Sequence, residues 1–177
     1  MAENNKNILF TKSILSPQTV FIDIKDFQYK DEATLILDSI KQSIEGKCIT
    51  EGYIKPGSIE IVDASAGTCM GSTIRYIVQV SCLVCNPCQG NILTCVATFV
   101  SEKVGVTGNV YLDPIDQLSD PRPPPIMIIY LHRDIHMKNV EQLIKIKVDD
   151  IIQVQILGVR YQLNDTYMEA TCMLHTP

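Results

Sequence analysis

The chain has 177 residues and a formal net charge of −5, because 15 Lys and Arg residues are set against 20 Asp and Glu residues. No apolar run approaches the roughly 18–20 residues that a membrane-spanning helix needs, and the N-terminus "MAENNKNILF" lacks the basic start and apolar core of a signal peptide. These features predict an intracellular protein, nuclear or cytoplasmic, whose seven cysteines are mostly reduced.

The first half of the chain has the pattern of a small α+β unit. A strand is predicted over 19–27, followed by a helix that Asp31 caps and Gly46 ends. After two short strands around a turn at 55–57, the longest strand of the chain is predicted over 72–85. The residues expected on the buried faces are Val20, Ile22 and Ile24 in the first strand, Ala33, Leu37, Ile40 and Ile44 in the helix, and Ile74, Tyr76, Val78, Val80, Cys82 and Val84 in the long strand.

The second half of the chain is predicted to be wholly β. Short strands are indicated over 91–100, 103–112 and 126–131, and a closing pair follows, in which Gly158 interrupts the first strand and Asn164-Asp165 forms the turn. A Pro-rich loop over 113–125 separates the second strand from the third. Five short strands with one long connection are typical of a small OB-type barrel. Because Pro87 and Gly90 punctuate the chain, we predict an N-terminal domain over 1–87 and a barrel over 88–177.

Four of the seven cysteines lie in "CLVCNPCQGNILTC", at Cys82, Cys85, Cys88 and Cys95. Cys85 and Cys88 have the spacing of half a zinc knuckle, but a second pair that would complete a tetrahedral site is not evident. Cysteine is also among the residue types most often buried as a small apolar side chain. We favour the interpretation as a strand, a turn and a strand without a metal, and zinc remains the alternative.

The segment "YLHRDIHMKN" matches the H-R-D-x-x-x-x-N loop of protein kinases, in which Asp134 would be the base and Asn139 a magnesium ligand. No glycine-rich phosphate loop precedes it and no D-F-G follows it, so the match lacks its structural context. His132 and His136 are spaced for a metal on a helix, but Arg133 stands where H-E-x-x-H has its glutamate. We therefore predict a non-catalytic protein without a cofactor.

The order of short motifs along nearly the whole chain resembles the stalk subunit of RNA polymerase, which is subunit seven of eukaryotic polymerase II and has a counterpart in the archaeal enzyme. "EGKC" at 45–48 ends a helix, "IRY" at 74–76 opens a long strand, and Pro87 and Gly90 precede the first barrel strand. The chain departs from the family at Asn91, where an acidic residue is usual, and in its long loop over 63–73. These departures suggest a divergent form encoded by a large DNA virus, which would place the protein in the viral factory or the virion.

The resemblance implies a truncated ribonucleoprotein-like tip domain followed by an OB-type barrel. A stalk subunit is not an enzyme: it docks on the polymerase core near the clamp and the RNA exit channel, and it supports transcription initiation and transcript handling. The partners implied are the core subunits, a second stalk subunit of the subunit-four type, and nascent RNA. The tip residues expected to contact the core are Lys55, Pro56, Gly57, Asp63, Ala64, Ser65, Ala66, Gly67, Thr68, Gly71 and Ser72.

Binding of RNA by the barrel would require aromatic side chains for stacking and basic side chains for the backbone. The barrel half holds only 7 basic against 10 acidic residues, which argues for weak binding. A stand-alone OB protein that binds single-stranded nucleic acid, or that acts as an adaptor, is the alternative function. The barrel residues expected to contact RNA are Lys103, Tyr111, Lys145, Lys147, Arg160 and Tyr161.

Overall fold

The computed structural model describes residues 9–113, 121–136 and 140–175. The fold is mixed and mostly β, with 48% of residues in strands and 17% in helices. The chain divides into two compact units, one formed by residues 10–85 and the other by Leu9 and the described residues from 86 onward. Among the described residues, no helix is long and apolar enough to cross a membrane. Part of the predicted Pro-rich loop, 114–120, lies outside the described residues, as does Asn139.

The first unit is a seven-stranded sheet built around one long central strand. That strand pairs antiparallel with two short strands on one edge and with three on the other. A helix follows the second strand, after a short 3-10 helix over Ile24–Gln28. The elements are β1 (Thr11–Ile14), β2 (Gln18–Asp23), α1 (Glu32–Ile44), β3 (Cys48–Ile49), β4 (Gly52–Ile54), β5 (Glu60–Ala64), β6 (Thr68–Met70) and the central strand β7 (Thr73–Cys85).

Helix α1 starts where the sequence predicts it. The Asp31 carboxylate accepts hydrogen bonds from the Thr34 backbone N–H at 3.2 Å and from the Thr34 hydroxyl at 2.6 Å, which is the geometry of an N-cap. Gly46 adopts a φ of 67° just after the helix, a conformation that favours glycine. The predicted cap and stop are therefore confirmed.

The buried face of α1 is rotated from the predicted one. Ile40 and Ile44 are buried as expected, but Ala33 is exposed and Leu37 is only half-buried. Ile36 takes their place, so the buried row has a period of four residues. The reason is the apolar surface area that is buried, because a row of isoleucines covers more of the sheet than a row that includes an alanine.

The predicted core face of β7 is confirmed. Its even-numbered residues from Tyr76 to Val84 are buried and Ile74 is half-buried. Val20 and Ile22 of β2 are buried in the same cluster. The prediction fails at Ile24, which is exposed and begins the 3-10 helix. The Asp23 carboxylate accepts a hydrogen bond from the Lys25 backbone N–H at 3.1 Å, which caps this helix and ends the strand.

The second unit contains a closed barrel of five strands. Around the barrel, the first strand pairs with the second and fourth, and the third pairs with the second and the fifth. Only the pair of third and fifth strands is parallel. This closed arrangement is compatible with an OB-type barrel. The elements are β8 (Ile92–Ser101), β9 (Gly105–Val110), β10 (Met127–His132), a 3-10 helix (Arg133–His136), α2 (Val140–Ile144), β11 (Ile151–Arg160) and β12 (Met168–Leu174).

The barrel interior is filled by alternate side chains of all five strands. The pairing of β11 with β12 shifts register between Ile156 and Gly158, so the predicted interruption of this strand is a bulge. Asn164 in the following turn has a φ of 69°. The fully buried interior residues are Cys95, Ala97, Met127, Ile129, Val154, Ile156, Met168 and Cys172.

Candidate functional site

The predicted contact loop over 63–72 runs antiparallel along the first half of β7 and, together with the first residues of that strand, forms an exposed hairpin, the 63–72 hairpin. Every residue from 62 to 72 is exposed, and Met70 pairs directly with Thr73 across the turn at Gly71, whose φ is 66°. Two hydrogen bonds of Ser65 hold the hairpin against β7. The Ser65 backbone N–H donates to the Ile77 carbonyl at 2.9 Å, and its hydroxyl accepts from the Ile77 N–H at 2.9 Å.

Gly67 lies in the same loop and packs too closely for any side chain. A Cβ atom at this position would lie 2.6 Å from the Ile74 side chain and 2.9 Å from the Tyr76 ring. The loop is thus pressed against β7, and its backbone is positioned by packing as well as by hydrogen bonds.

The turn at Lys55-Pro56-Gly57 lies at the opposite end of β7. The Lys55 backbone N–H donates to the Leu83 carbonyl at 2.9 Å, and the Gly57 N–H donates to the Glu45 carboxylate. About ten residues of β7 separate this turn from Gly71, which is roughly 33 Å along a strand. The two predicted contact segments are therefore separated along β7, because the register of β4, β5 and β6 places them at different stretches of that strand.

The predicted RNA-binding residues of the barrel are spread over several elements. Lys103 is exposed in the turn between β8 and β9, and Lys145 and Lys147 are exposed after α2. Arg160 is exposed at the end of β11, but its Nε donates to the Glu169 carboxylate at 3.2 Å, so its charge is compensated. Tyr161 follows it and is half-buried.

Tyr111 differs from the other predicted RNA-binding residues, because its side chain is only 7% exposed. Its hydroxyl accepts a hydrogen bond from the Asn109 side chain at 3.4 Å. A ring buried in this way presents no free face to a base, so Tyr111 is not a stacking residue in this structure.

An outward-facing row of side chains crosses four strands of the barrel. Phe99 on β8 lies opposite Thr107 on β9, which lies opposite Tyr130 on β10. Tyr130 in turn lies beside Thr171 on β12. Phe99 is 56% exposed. Because directly opposed residues share a face of the sheet, the two aromatic side chains stand on the same outer surface, about 10 Å apart across two strands.

A shallow cavity of about 430 Å³ adjoins this row and is lined in part by Tyr130, His132, Gly158 and Arg160. The Tyr130 and His132 rings stack with centroids 6.1 Å apart and planes inclined by 20°. Partial burial, and then the Glu169 carboxylate, raise the pKa of Tyr130. Its hydroxyl therefore keeps its proton at neutral pH. The hydroxyl donates a hydrogen bond to the Glu169 carboxylate at 3.5 Å. The surface thus offers ring faces, with little net positive charge.

Sequence reasoning missed Phe99, Tyr130 and His132. Tyr130 and His132 could have been found from the alternation of "IMIIYLH", which places them on the face opposite Ile129 and Leu131. Phe99 could not, because the pairing of β8 with β9 shifts register between Ala97 and Phe99. Such a shift is not visible in the pattern of apolar residues.

The four clustered cysteines are divided between the two units. Cys82 and Cys85 end β7, Cys88 is exposed in the connection, and Cys95 is in the barrel interior. Burial raises the pKa of Cys85 and that of Cys95 to about 12. A zinc ligand has to be a thiolate, which this burial disfavours. In the part of the chain that the structure describes, no three His, Cys, Asp or Glu residues are grouped to hold a metal ion.

The kinase-like segment has a structural arrangement of its own. His132 ends β10, and Arg133 to His136 form the 3-10 helix that follows. His136 is buried, whereas Asp134 is exposed on the surface. The histidine contacts backbone groups through both ring nitrogens, which is the behaviour of a structural residue.

Neither a scan against models of protein families nor a search of curated proteins finds a match for this chain.

Proposed function

We propose that this protein is a non-catalytic stalk subunit of a DNA-dependent RNA polymerase, which supports transcription initiation and transcript handling. The observation that carries the proposal is the succession of an α+β unit and a five-stranded closed barrel along one chain. The central strand β7 of the first unit leads through residues 86–91 into β8, the first barrel strand. This is the order that the resemblance to polymerase stalk subunits implies, with the first unit as the tip domain and the second as an OB barrel.

The exposed hairpin over 63–72 is the surface that we assign to docking on the polymerase core. Met70 is 51% exposed beside its turn. Ile24 is 46% exposed, and its N–H donates to the Ser72 carbonyl at 2.9 Å. Met70 in the loop and Ile24 at the start of the neighbouring 3-10 helix are two exposed apolar side chains among polar ones, which suits the core of a protein interface surrounded by a polar rim. The Lys55-Pro56-Gly57 turn would contact a different part of the core, because it lies at the other end of β7.

A second candidate function is the binding of single-stranded nucleic acid by a protein that acts alone. The specific observation in its favour is the outer row with Phe99 and Tyr130, because exposed rings on a barrel surface are stacking platforms for bases. The compensation of Arg160 by Glu169 and the acidic balance of this half predict weak binding that depends little on salt. As part of a stalk, the same surface would need only a weak affinity for the transcript.

Co-purification from cells that express the natural partners separates the two functions. An affinity-tagged stalk subunit elutes with the large polymerase subunits at fixed stoichiometry. A protein that acts alone elutes as a free monomer or homo-oligomer and retains its affinity for single-stranded RNA. The second result would contradict the proposed stalk function.

A further inference from the structure

Strand β2 has one edge without a partner strand among the strands that the structure describes. Val80 of β7 accepts from the Leu15 N–H, and the Ser72 carbonyl accepts from the Ile24 N–H. The even-numbered residues of β7 therefore point their backbone groups toward β1 and β2. In the register of the β2–β7 pair, the even-numbered residues of β7 form backbone hydrogen bonds with Val20 and the other even-numbered residues of β2.

The backbone N–H and C=O groups of Thr19 and Phe21 consequently point away from β7. Among the described strands, β2 pairs with β7 alone. Both residues are exposed to solvent at least in part, Phe21 to 56%. An open strand edge of this kind is a template for the backbone of another extended segment.

A groove of about 200 Å³ runs beside this open edge, between β2 and α1. On the helix side, the groove has room because the lining residues Ser39 and Ser43 have short side chains. None of the described residues that line the groove carries a charge, so a charged side chain entering the groove would lose part of its hydration. The nearby Lys47 ammonium donates to the Ser43 carbonyl at 3.1 Å, at the helix end of the groove. The lining residues are Gln18, Thr19, Val20, Phe21, Ser39, Ile40, Ser43 and Ile44.

We infer that the open edge of β2 binds an extended segment of a partner protein as an additional antiparallel strand. The partner's backbone would bond to Thr19 and Phe21, and its alternate side chains, uncharged and apolar, would fill the groove against Ser39 and Ser43. This is the mode in which a sheet edge supplies affinity and side-chain pockets supply specificity. The inference concerns a surface distinct from the 63–72 hairpin and does not require the partner to be a polymerase.

A second copy of this chain is a poorer occupant than a separate segment. If two copies paired through β2, the side chains facing the groove would be Val20 and Ile22 of the second copy. These are only 5% and 4% exposed, because they are buried in the core of their own unit. A second copy therefore has no free side chains with which to fill the groove.

The chain itself provides a matched probe. A capped peptide with the sequence of residues 72–79, "STIRYIVQ", already pairs with β2 along the other edge in the native sheet. Placed on the open edge with its apolar face toward α1, it would point Ile74, Tyr76 and Val78 into the groove. Its N–H groups at Arg75 and Ile77 would then face β2, and those at Ile74 and Tyr76 would face solvent.

Two N-methylated peptides test this arrangement against the full-length protein. Methylation at 75 and 77 removes the two donors that bond to the edge, and methylation at 74 and 76 removes two that do not. We expect the first peptide to bind at least about tenfold more weakly than the unmodified one, since two net hydrogen bonds are lost. The second should bind equally well. Amide shifts of Thr19, Phe21 and Ser43 in titrations followed by NMR report the location, and calorimetry reports the affinity.

Protein variants provide an independent check. Thr19→Pro removes only an N–H that faces away from β7, where proline is tolerated, and Ser43→Glu places a charge in the groove. Each should weaken peptide binding at least about tenfold, whereas Gln42→Glu, exposed on the same helix turn, should not. Thermal unfolding verifies that each variant folds. If Thr19→Pro does not fold, the comparison of Ser43→Glu with Gln42→Glu decides.

Three results would overturn the inference. The first is the absence of saturable shifts at Thr19 and Phe21 up to about 1 mM peptide, the weakest affinity that a specific docking would show. The second is equal binding of both methylated peptides. The third is a dimer in sedimentation velocity that Thr19→Pro converts to a monomer, which would assign the edge to a second copy. None of these depends on co-purification with polymerase, so the stalk proposal and this one fail separately.

Discussion

The ring of His136 accepts a hydrogen bond at Nε2 from the backbone N–H of Leu174, at 2.8 Å and across 38 positions of sequence. Its Nδ1 lies 2.8 Å from the His132 carbonyl oxygen. Because a carbonyl can only accept, the proton is on Nδ1 and the ring is neutral. The side chain is 3% exposed. His136 thus connects the 3-10 helix after β10 to the end of β12, beside the parallel strand pair of the barrel.

Replacing His136 by phenylalanine should destabilise the barrel by about 1–3 kcal/mol, because the half-buried Leu174 N–H loses its acceptor. His132→Phe is the matched control: the residue is exposed and should change stability by no more than about 0.5 kcal/mol. Urea unfolding of both variants measures the difference, with an unchanged slope as the sign that only stability is altered. Equal stability of the two variants would show that the hydrogen bonds of His136 contribute nothing.

Gly105→Ala should be among the most damaging single substitutions in the barrel. Gly105 has a φ of 126°, and a Cβ atom there would lie 2.0 Å from the Leu131 carbonyl oxygen. We expect a loss of about 3 kcal/mol, from steric overlap and from a backbone conformation that alanine disfavours. Gly158→Ala should be nearly neutral, because a Cβ at that position meets nothing within 4 Å. Comparable melting temperatures for the two variants would contradict the closeness of β9 to β10.

Alkaline pH should destabilise the protein through its buried thiols. Burial, and then the neighbouring Cys172, raise the pKa of Cys95 from an ordinary 9.0 to about 12. The folded state therefore holds the proton above pH 9, where the unfolded state releases it. The stabilisation is complete below pH 9 and is lost progressively as the pH rises from 9 to 12.

The contribution of Cys95 can be isolated by substitution. Between pH 8 and pH 10, one such thiol accounts for a fall of about 1.4 kcal/mol in the free energy of unfolding. Cys95→Ala should lower stability at pH 8 but should reduce the dependence on pH by that amount. Cys88→Ala, at an exposed site, should leave the dependence unchanged. Identical pH profiles for the wild type and Cys95→Ala would show that the Cys95 thiol ionises normally in the folded state.

The aromatic row of the barrel can be tested with unstructured RNA of about twelve nucleotides. Phe99→Ala and Tyr130→Ala should each weaken binding by about 1–3 kcal/mol, the usual cost of losing a stacked base. Tyr29→Ala is the control, since Tyr29 is 82% exposed but lies in the first unit. Fluorescence anisotropy at several salt concentrations measures both affinity and its electrostatic part. If Lys103→Ala weakens binding and the aromatic variants do not, stacking on this row is not the mode of binding.

Features set by local chemistry were predictable from the sequence. The Asp31 cap and the Gly46 stop depend on residues in and next to one helix, and the buried face of β7 follows from apolar residues at every second position from Ile74 to Val84. The face of α1 was shifted, because it depends on which side of the helix meets the sheet. Ile24 left its strand because the short-range bond from Lys25 to Asp23 competes with strand pairing.

Features set by long-range pairing were not predictable. The 55–57 turn and the 63–72 hairpin are close in sequence but lie at opposite ends of β7, because β4 and β6 pair with different stretches of the same strand. The proximity of Phe99 to Tyr130 likewise depends on the register of the closed barrel and on one bulge. Such registers are set by the whole sheet and not by the pattern within one strand.

The most direct test of the stalk proposal is the stoichiometry with which the tagged protein recovers the large polymerase subunits from its natural cell. We predict equimolar recovery for the wild type. Met70→Glu in the docking hairpin should lower it at least about tenfold, since a charge is desolvated in the interface. Phe99→Ala on the barrel should leave it unchanged. Elution of the wild-type protein only as a free monomer or homo-oligomer, without large polymerase subunits, would contradict the account.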